Sequence, residues 1–307
     1  MLRLGTRGSA LALAQARWVA TRLGTGVEVV PVRSEGASGQ DKSRWVGGLE
    51  AALLAGEIDL AVHSAKDVPG ELAAGLAIAC VPGREDPRDA ICGAASIDSL
   101  AAGARVGTSS LRRAAQVRAA RADVEVVAMH GNVDTRLGRL AGGACDAIVL
   151  ALAGLRRLGR EREAGGVADL AAMIPAPGQG ALLLEARAED RRALDAAAAI
   201  ADAGSGAAVR AERALAAALG ADCSTPLGAH AEPAGRGTLE LRAFAGLPDG
   251  SAWARDALHG DAARPEELGR SVAERMRAAG AGALIAEARS AAGPPPAALP
   301  DGARVGG

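Results

Sequence analysis

Residues Leu2 to Leu23 read Leu-Arg-Leu-Gly-Thr-Arg-Gly-Ser-Ala-Leu-Ala-Leu-Ala-Gln-Ala-Arg-Trp-Val-Ala-Thr-Arg-Leu. A short β-type run, Arg3–Gly5, ends in small and hydroxyl residues, and a helix is expected over Ala10–Leu23. The same unit recurs. Strands are expected at Val27–Val32, Leu60–His63, Ala77–Val81, Arg105–Gly107, Val124–Ala128 and Ala147–Ala151. Helices are expected at Leu49–Ala55, Leu111–Ala120, Thr135–Ala141 and Asp190–Asp202. Strands alternating with helices over short Gly-rich connections imply a mostly parallel α/β sheet. Arg3-Leu4-Gly5-Thr6 is echoed by Arg105-Val106-Gly107-Thr108, and Gly56-Glu57-Ile58-Asp59 by Gly143-Ala144-Cys145-Asp146. Either chance in an Ala/Gly-rich chain produces the echo, or two similarly built lobes face each other across a cleft.

A third region follows Gly204-Ser205-Gly206. A helix over Ala207–Leu219 leads into the turn-forming Gly220-Ala221-Asp222-Cys223-Ser224-Thr225-Pro226. Thr238–Ala245 alternates as a half-buried strand, with Leu239, Leu241 and Ala243 inward and Glu240, Arg242 and Phe244 outward. Ser251–His259 is its expected partner, and a helix with proline in its first turn runs over Pro265–Ala279. This is a small α+β domain, and the tail over 291–307 is expected to be disordered.

Composition narrows the function. Of 307 residues, 49% are hydrophobic and 23% charged, which supports a sizeable core and excludes wholesale disorder. A net charge of −1 and the near absence of aromatics (Trp18, Trp45, Trp253 and Phe244) argue against nucleic acid as a partner. The longest clean apolar stretch, Ala147–Leu155, falls far short of the ~20 residues a membrane span needs. Arginines occupy the N-terminal positions where a signal peptide needs apolar residues, so the chain reads as soluble, cytoplasmic and not membrane-bound. Cys80, Cys92, Cys145 and Cys223, with four scattered histidines, have no metal-ligand spacing, and no metal is expected.

The cations are unevenly placed. Only Lys42 and Lys66 are lysine; every other basic side chain is arginine. Neither Met1–Val27 nor Ser99–Ala122 contains an acid, while both are rich in arginine. The junctions Gly5-Thr6-Arg7-Gly8-Ser9 and Gly107-Thr108-Ser109-Ser110-Leu111-Arg112-Arg113 combine a helix start with arginines. Unpaired N–H groups and guanidinium forks favour a carboxylate or phosphate there. Singly, each junction reads as ordinary N-capping; two at the carboxyl ends of strands point to a ligand cleft. Arg136 and Arg157 follow β-type runs in the second lobe and are candidates for the same cleft.

His63-Ser64-Ala65-Lys66-Asp67-Val68-Pro69 is the densest candidate. Asp67, beside Lys66, is expected to hold a positive charge or exchange a proton; a neutralised strand-end turn is the plainer reading. Cys223 alone among the cysteines sits in a polar turn, where it is either a reactive thiol or a plain, partly buried cysteine.

These segments, in this order, resemble the porphobilinogen deaminase (hydroxymethylbilane synthase) family. The resemblance lies in Thr6–Gln15, Asp59–Pro69, Arg84–Ala90, Val106–Arg113, Gly131–Leu137, Ala153–Gly159, Pro177–Leu182, Ala211–Ala214 and Asp222–Gly228, and covers residues 1 to about 290. It implies two periplasmic-binding-protein-like α/β lobes and a small α+β C-terminal domain: 1–82 with 180–200, then 86–175, then 204–290. It implies stepwise condensation of four porphobilinogen molecules into hydroxymethylbilane with release of ammonia, in tetrapyrrole (porphyrin, heme) biosynthesis. It also implies a dipyrromethane cofactor joined through a thioether to Cys223.

Carried over residue by residue, Asp67 and Lys66 are catalytic, Asp67 stabilising the cationic azafulvene intermediate. Ser64, Lys66, Asp67, Thr108, Ser109, Ser110, Arg112, Arg113, Arg136 and Cys223 would hold the cofactor. Arg7, Ser9, Gln15, Lys42, His130, Arg157 and Gln179 would bind substrate. Each pyrrole carries two carboxylates, which accounts for the acid-free arginine stretches. The expected partners are the small-molecule substrate and, by functional hand-off, the next pathway enzyme, with the chain itself a monomer. Three features depart from the family. His130 stands where arginine is usual before Gly-Asn-Val; the lid segment Ser34–Trp45 is shorter; and Val46-Gly47-Gly48 replaces a common Lys-Glu. A weakly active paralogue, or a two-lobed carboxylate-binding module, is the alternative reading.

Overall fold

The computed structural model describes residues 1–32, 42–222 and 225–291, with the backbone alone described at 42–45 and 291. The lid segment therefore lies largely outside the described residues, as do Cys223 and the tail from 292 onward. Strand β1 (Leu2–Thr6), helix α1 (Ala10–Leu23), β2 (Val27–Pro31), α2 (Lys42–Leu54), β3 (Leu60–Ser64) and β4 (Leu76–Cys80) begin the first lobe. A single 3-10 turn, Ala65–Asp67, follows β3 directly. The chain then crosses to β5 (Asp89–Cys92), β6 (Arg105–Gly107), α3 (Leu111–Ala120), β7 (Glu125–Val127), α4 (Val133–Ala141), β8 (Ala147–Ala151), α5 (Leu152–Arg157) and β9 (Gly166–Val167). It returns for β10 (Leu182–Arg187) and α6 (Arg191–Ala198). The remainder is α7 (Ala203–Ala218), β11 (Leu227–Pro233), β12 (Thr238–Gly246), β13 (Trp253–Asp261), α8 (Pro265–Ala278) and α9 (Ala281–Ala291).

Two five-stranded sheets result, ordered β2-β1-β3-β10-β4 and β7-β6-β8-β5-β9, together with a three-stranded sheet β11-β12-β13. In the first, Leu4, Leu60, Leu182 and Leu184 are buried against Ala16 and Val19 of α1 and Ala193 and Ala197 of α6. Each fully buried leucine contributes roughly 1.5–3 kcal/mol, and the small alanines let the helices lie close. Ser9 caps α1 with its Oγ accepting from the Ala12 N–H at 3.3 Å, and Ser110 caps α3 likewise.

The sheets are less parallel than the strand–helix alternation implies. β10 is antiparallel to both β3 and β4, and β5 is antiparallel to β8. The register supplies the reason. Leu182, the first residue of β10, pairs with Ser64, the last of β3; Asp89, the first of β5, pairs with Ala151, the last of β8. Both crossing segments enter at the carboxyl edge of the sheet they join and must run back through it. The carboxyl edges of both lobes therefore flank the crossings.

Other differences are local. The helix expected from Ala207 starts earlier, at Ala203, with Gly204-Ser205-Gly206 in its first turn, because Asp202 Oδ1 accepts from the Ser205 N–H at 2.7 Å and caps it. The helix expected over Asp190–Asp202 ends at Ala198, and α9 has no counterpart in the sequence reading. Phe244 does not face outward into water. It is fully buried with Ala115 of α3 and Ile174, so the outer face of β12 is where the third sheet meets the second lobe.

Candidate functional site

The β3 carboxyl end carries the site. Arg7, Gln15, His63, Ser64 and Asp67 line one pocket with Ala12, Val46 and Val62. Gln15, buried on α1, donates from Nε2 to Ser64 Oγ at 2.9 Å, which fixes α1 against the strand end. Burial pushes the Arg7 guanidinium below its ordinary value, and the charge of Asp67 opposes that shift. An arginine and an aspartate thus face each other in a half-buried pocket, in a medium where charges act more strongly than in water. His63 Nε2 lies 3.0 Å from Glu185 Oε2 on β10, both side chains buried.

The Lys66–Asp67 turn is braced from two sides. The Ala65 N–H donates to the Ala181 carbonyl at 3.0 Å. Gly178, at φ +73°, approaches so closely that a Cβ there would lie 2.9 Å from Ala65 C and Lys66 N. Only glycine accepts both that dihedral and that approach. On the other side Arg213 of α7 donates to the carbonyls of Val68, Pro69 and Gly70 at 3.1, 2.7 and 3.0 Å. The chain leaving Asp67 is held by the third domain.

The second lobe presents the Thr108–Ser110 junction. Thr108 Oγ1 accepts from the Ser110 N–H at 3.2 Å, while Ser109 Oγ is buried without a hydrogen-bond partner among the described residues. Arg136 donates to the Gly131 carbonyl at 2.8 Å. Its guanidinium is pushed down by burial and then by the neighbouring charges of Arg113 and Arg139. An unpartnered hydroxyl at a helix N-terminus and the Arg136 guanidinium, pushed down by burial and by its cationic neighbours, are a set that an anion would satisfy.

Arg112 and Arg113 turn to a carboxylate of the protein itself, although Arg112 Nε stays without a hydrogen-bond partner among the described residues. Both are buried against Asp89, itself 0% exposed: Arg112 Nη1 donates to Oδ2 at 2.8 Å, and Arg113 Nη2 to Oδ1 at 2.7 Å. Gln179 Nε2 joins the same carboxylate at 2.7 Å and also donates to the Pro87 carbonyl at 2.7 Å. Burial would raise the Asp89 carboxyl, but Arg112 and Arg113 overcome this and hold it well below the ordinary carboxylate range. Arg157 does not line the Asp67 pocket; it donates to the Gly180 carbonyl at 2.7 Å and opens into another cavity. Ser9 and His130 are exposed, and Lys42 is described only as the first residue of α2.

Sequence reasoning missed Glu212. It is 0% exposed and accepts from Arg84 (Nη1 to Oε1 at 2.6 Å, Nη2 to Oε2 at 3.2 Å), from the Gly178 N–H at 2.6 Å and from the Ala231 N–H at 2.8 Å. One carboxylate thereby ties the first crossing, the return crossing and the third sheet together. The signal was present as Ala211-Glu212-Arg213-Ala214, a charged pair inside an alanine-rich helix. Cys80 and Cys92 are inert by comparison, since burial pushes their thiols up to about 12 and about 11.

The fold and site define a class: a two-lobed α/β protein with a cation-lined cleft, one carboxylate held at a strand end, and a third domain bracing it. The chain matches the family description "porphobilinogen deaminase, dipyromethane cofactor binding domain" over residues 2–195 and "porphobilinogen deaminase, C-terminal domain" over 207–278. It belongs to the porphobilinogen deaminase family. The porphobilinogen deaminase of Deinococcus deserti is 44% identical over 306 residues, covering 93% of this chain and 98% of its own. That of Thermus thermophilus is 44% identical over 296 residues, with the same coverage. That of Sorangium cellulosum is 48% identical over 265 residues, 81% of this chain and 88% of its own.

Proposed function

We propose that this chain is a transferase that condenses four porphobilinogen molecules in succession into hydroxymethylbilane, releasing ammonia at each addition, in tetrapyrrole biosynthesis. The observation that carries this reading is Asp67 facing Arg7 in a pocket at the strand end, within a family defined by this chemistry. When ammonia leaves porphobilinogen, the pyrrole ring left behind is cationic. A carboxylate fixed beside it stabilises that charge as it develops, and can take the proton later lost from the ring. Asp67 has that role and Lys66 assists. Arg7, Ser9 and Gln15 hold the acetate and propionate groups of incoming substrate from the first lobe.

Cys223 lies outside the described residues, but the second lobe fits a carboxylate-bearing dipyrromethane. The orphaned Ser109 hydroxyl and the acid-poor surroundings of Arg136 are what such a group would complete. Bound there, dipyrromethane supplies the pyrrole carbon to which the first substrate is joined. Thr108, Ser109, Ser110 and Arg136 would grip its side chains directly. Arg112, Arg113 and Gln179, committed to Asp89, act by fixing the α3 start. Buried free thiols at Cys80, Cys92 and Cys145 suit a reducing, cytoplasmic setting. Among the described residues no helix is long and apolar enough to cross a membrane. The reading includes a monomer that hands its product to the next enzyme.

Intact mass of the purified protein tests this. The expected result is an excess equal to a dipyrromethane, absent from Cys223→Ser, with ammonia released from porphobilinogen. The excess without ammonia leaves a degenerate paralogue, and neither leaves a carboxylate-binding module.

A further inference from the structure

Behind the crossings lies a cavity of about 680 Å³, which shares no lining residue with the Asp67 pocket. Trp18 and Arg22 of α1 form one wall and Arg156 and Arg157 of α5 another, with the first crossing between them. Its charges divide into spent and unspent. Arg84 is consumed by Glu212, and Arg156 by Glu85 and Glu161, each at 2.8 Å. Asp202 is occupied in capping α7.

Arg22 and Arg157 remain without a carboxylate within 4 Å among the described residues. Arg22 lies over the Trp18 ring, 3.5 Å from its centroid, which orients the guanidinium without neutralising it. Among the described residues Arg157 has the Gly180 carbonyl alone as hydrogen-bond partner, and burial pushes it down to about 10 against the opposing charge of Glu85, whose carboxylate accepts from Arg156. A half-buried cation whose remaining donors open into a cavity is a site for an anion.

We propose that this cavity is a second ligand site, for a polycarboxylate, with one carboxylate on Arg157 and another on Arg22. The volume suits a small organic ligand. Arg22 belongs to the first lobe and Arg157 to the second, so a bound ligand links the two and restrains their relative movement. The natural ligand rests on the function proposed above, in which substrate and product are both polycarboxylates; the site itself does not.

Benzene-1,3,5-tricarboxylate is the probe, titrated into a holoenzyme carrying Trp45→Phe and Trp253→Phe, where Trp18 is the sole tryptophan. A saturable change in Trp18 emission is expected. Calorimetry on Arg22→Ala should show that binding event weakened about 10-fold or more, the scale of one lost charge-assisted contact. Basal turnover of Arg22→Ala stays unchanged, which reads the enzymatic assignment separately. A silent Trp18 overturns the proposal, as does a response indifferent to Arg22→Ala. Displacement of the probe by porphobilinogen identifies substrate as the ligand, and displacement by hydroxymethylbilane identifies product. Displacement by neither overturns the proposed ligand class in its biological form.

Discussion

Replacing Glu212 by glutamine changes one oxygen for an amide and removes one charge from the junction of all three sheets. Each carboxylate oxygen accepts twice: Oε1 from Arg84 and Ala231, Oε2 from Arg84 and Gly178. Whichever way the introduced amide turns, its NH2 meets a guanidinium and a backbone N–H, so two donors lose their acceptor while Arg84 stays buried and unpaired. Breaking a buried pair in this way costs about 3–5 kcal/mol. Titration gives a second figure. Burial raises the Glu212 carboxyl, but Arg84 and then His230 overcome it, and the result is about 2 against an ordinary 4.5. That difference corresponds to about 3 kcal/mol of stability. Because the folded value is depressed, the contribution is fully present above about pH 4.5 and is lost as pH falls toward 2. Urea unfolding of wild type and Glu212→Gln at pH 7 and at pH 3 measures it. The expected gap is at least about 3 kcal/mol at neutral pH, narrowing at pH 3. Adding Arg84→Met should recover much of the loss, since removing both partners leaves no orphan charge. A gap below about 1 kcal/mol at pH 7, or one that does not narrow in acid, would refute the reasoning.

Asp67→Asn keeps the shape and removes the charge, so turnover should fall by ~10²-fold or more with the cofactor still attached by intact mass; near-normal turnover would remove Asp67 from its assigned role. Gly178→Ala forces a Cβ to within 2.9 Å of the backbone at Ala65 and Lys66. It should cost about 1–3 kcal/mol in thermal unfolding and slow turnover by displacing Asp67, and wild-type kinetics would contradict the bracing described. His130→Arg supplies a fixed bidentate donor beside Gly131. The KM for porphobilinogen should fall about threefold or more, and an unchanged KM with an unchanged pH–rate profile counts against a carboxylate contact there.

Much of this protein is legible in its sequence. Leu111–Ala120 is a helix in both reading and structure because Ser110 supplies the cap and the run lacks glycine and proline. Local sequence puts Arg7 and Gln15 at one strand end and helix and Ser64 and Asp67 at another strand end, but they meet in one pocket only because β1 pairs with β3. The sequence likewise decides the composition of the two junctions and the family itself. Which arginines serve a ligand and which serve the frame is not local. Arg112 and Arg113 are adjacent to the Thr108–Ser110 junction, yet Asp89 reaches them from another strand and claims both. Arg157 likewise belongs to a different cavity from Arg7. Phe244 is buried because a second lobe arrives on the outer face of its strand. In each case the deciding partner is far away in the chain, and a charge's role depends on the nearest opposite charge in space, which only the folded arrangement of the crossings sets.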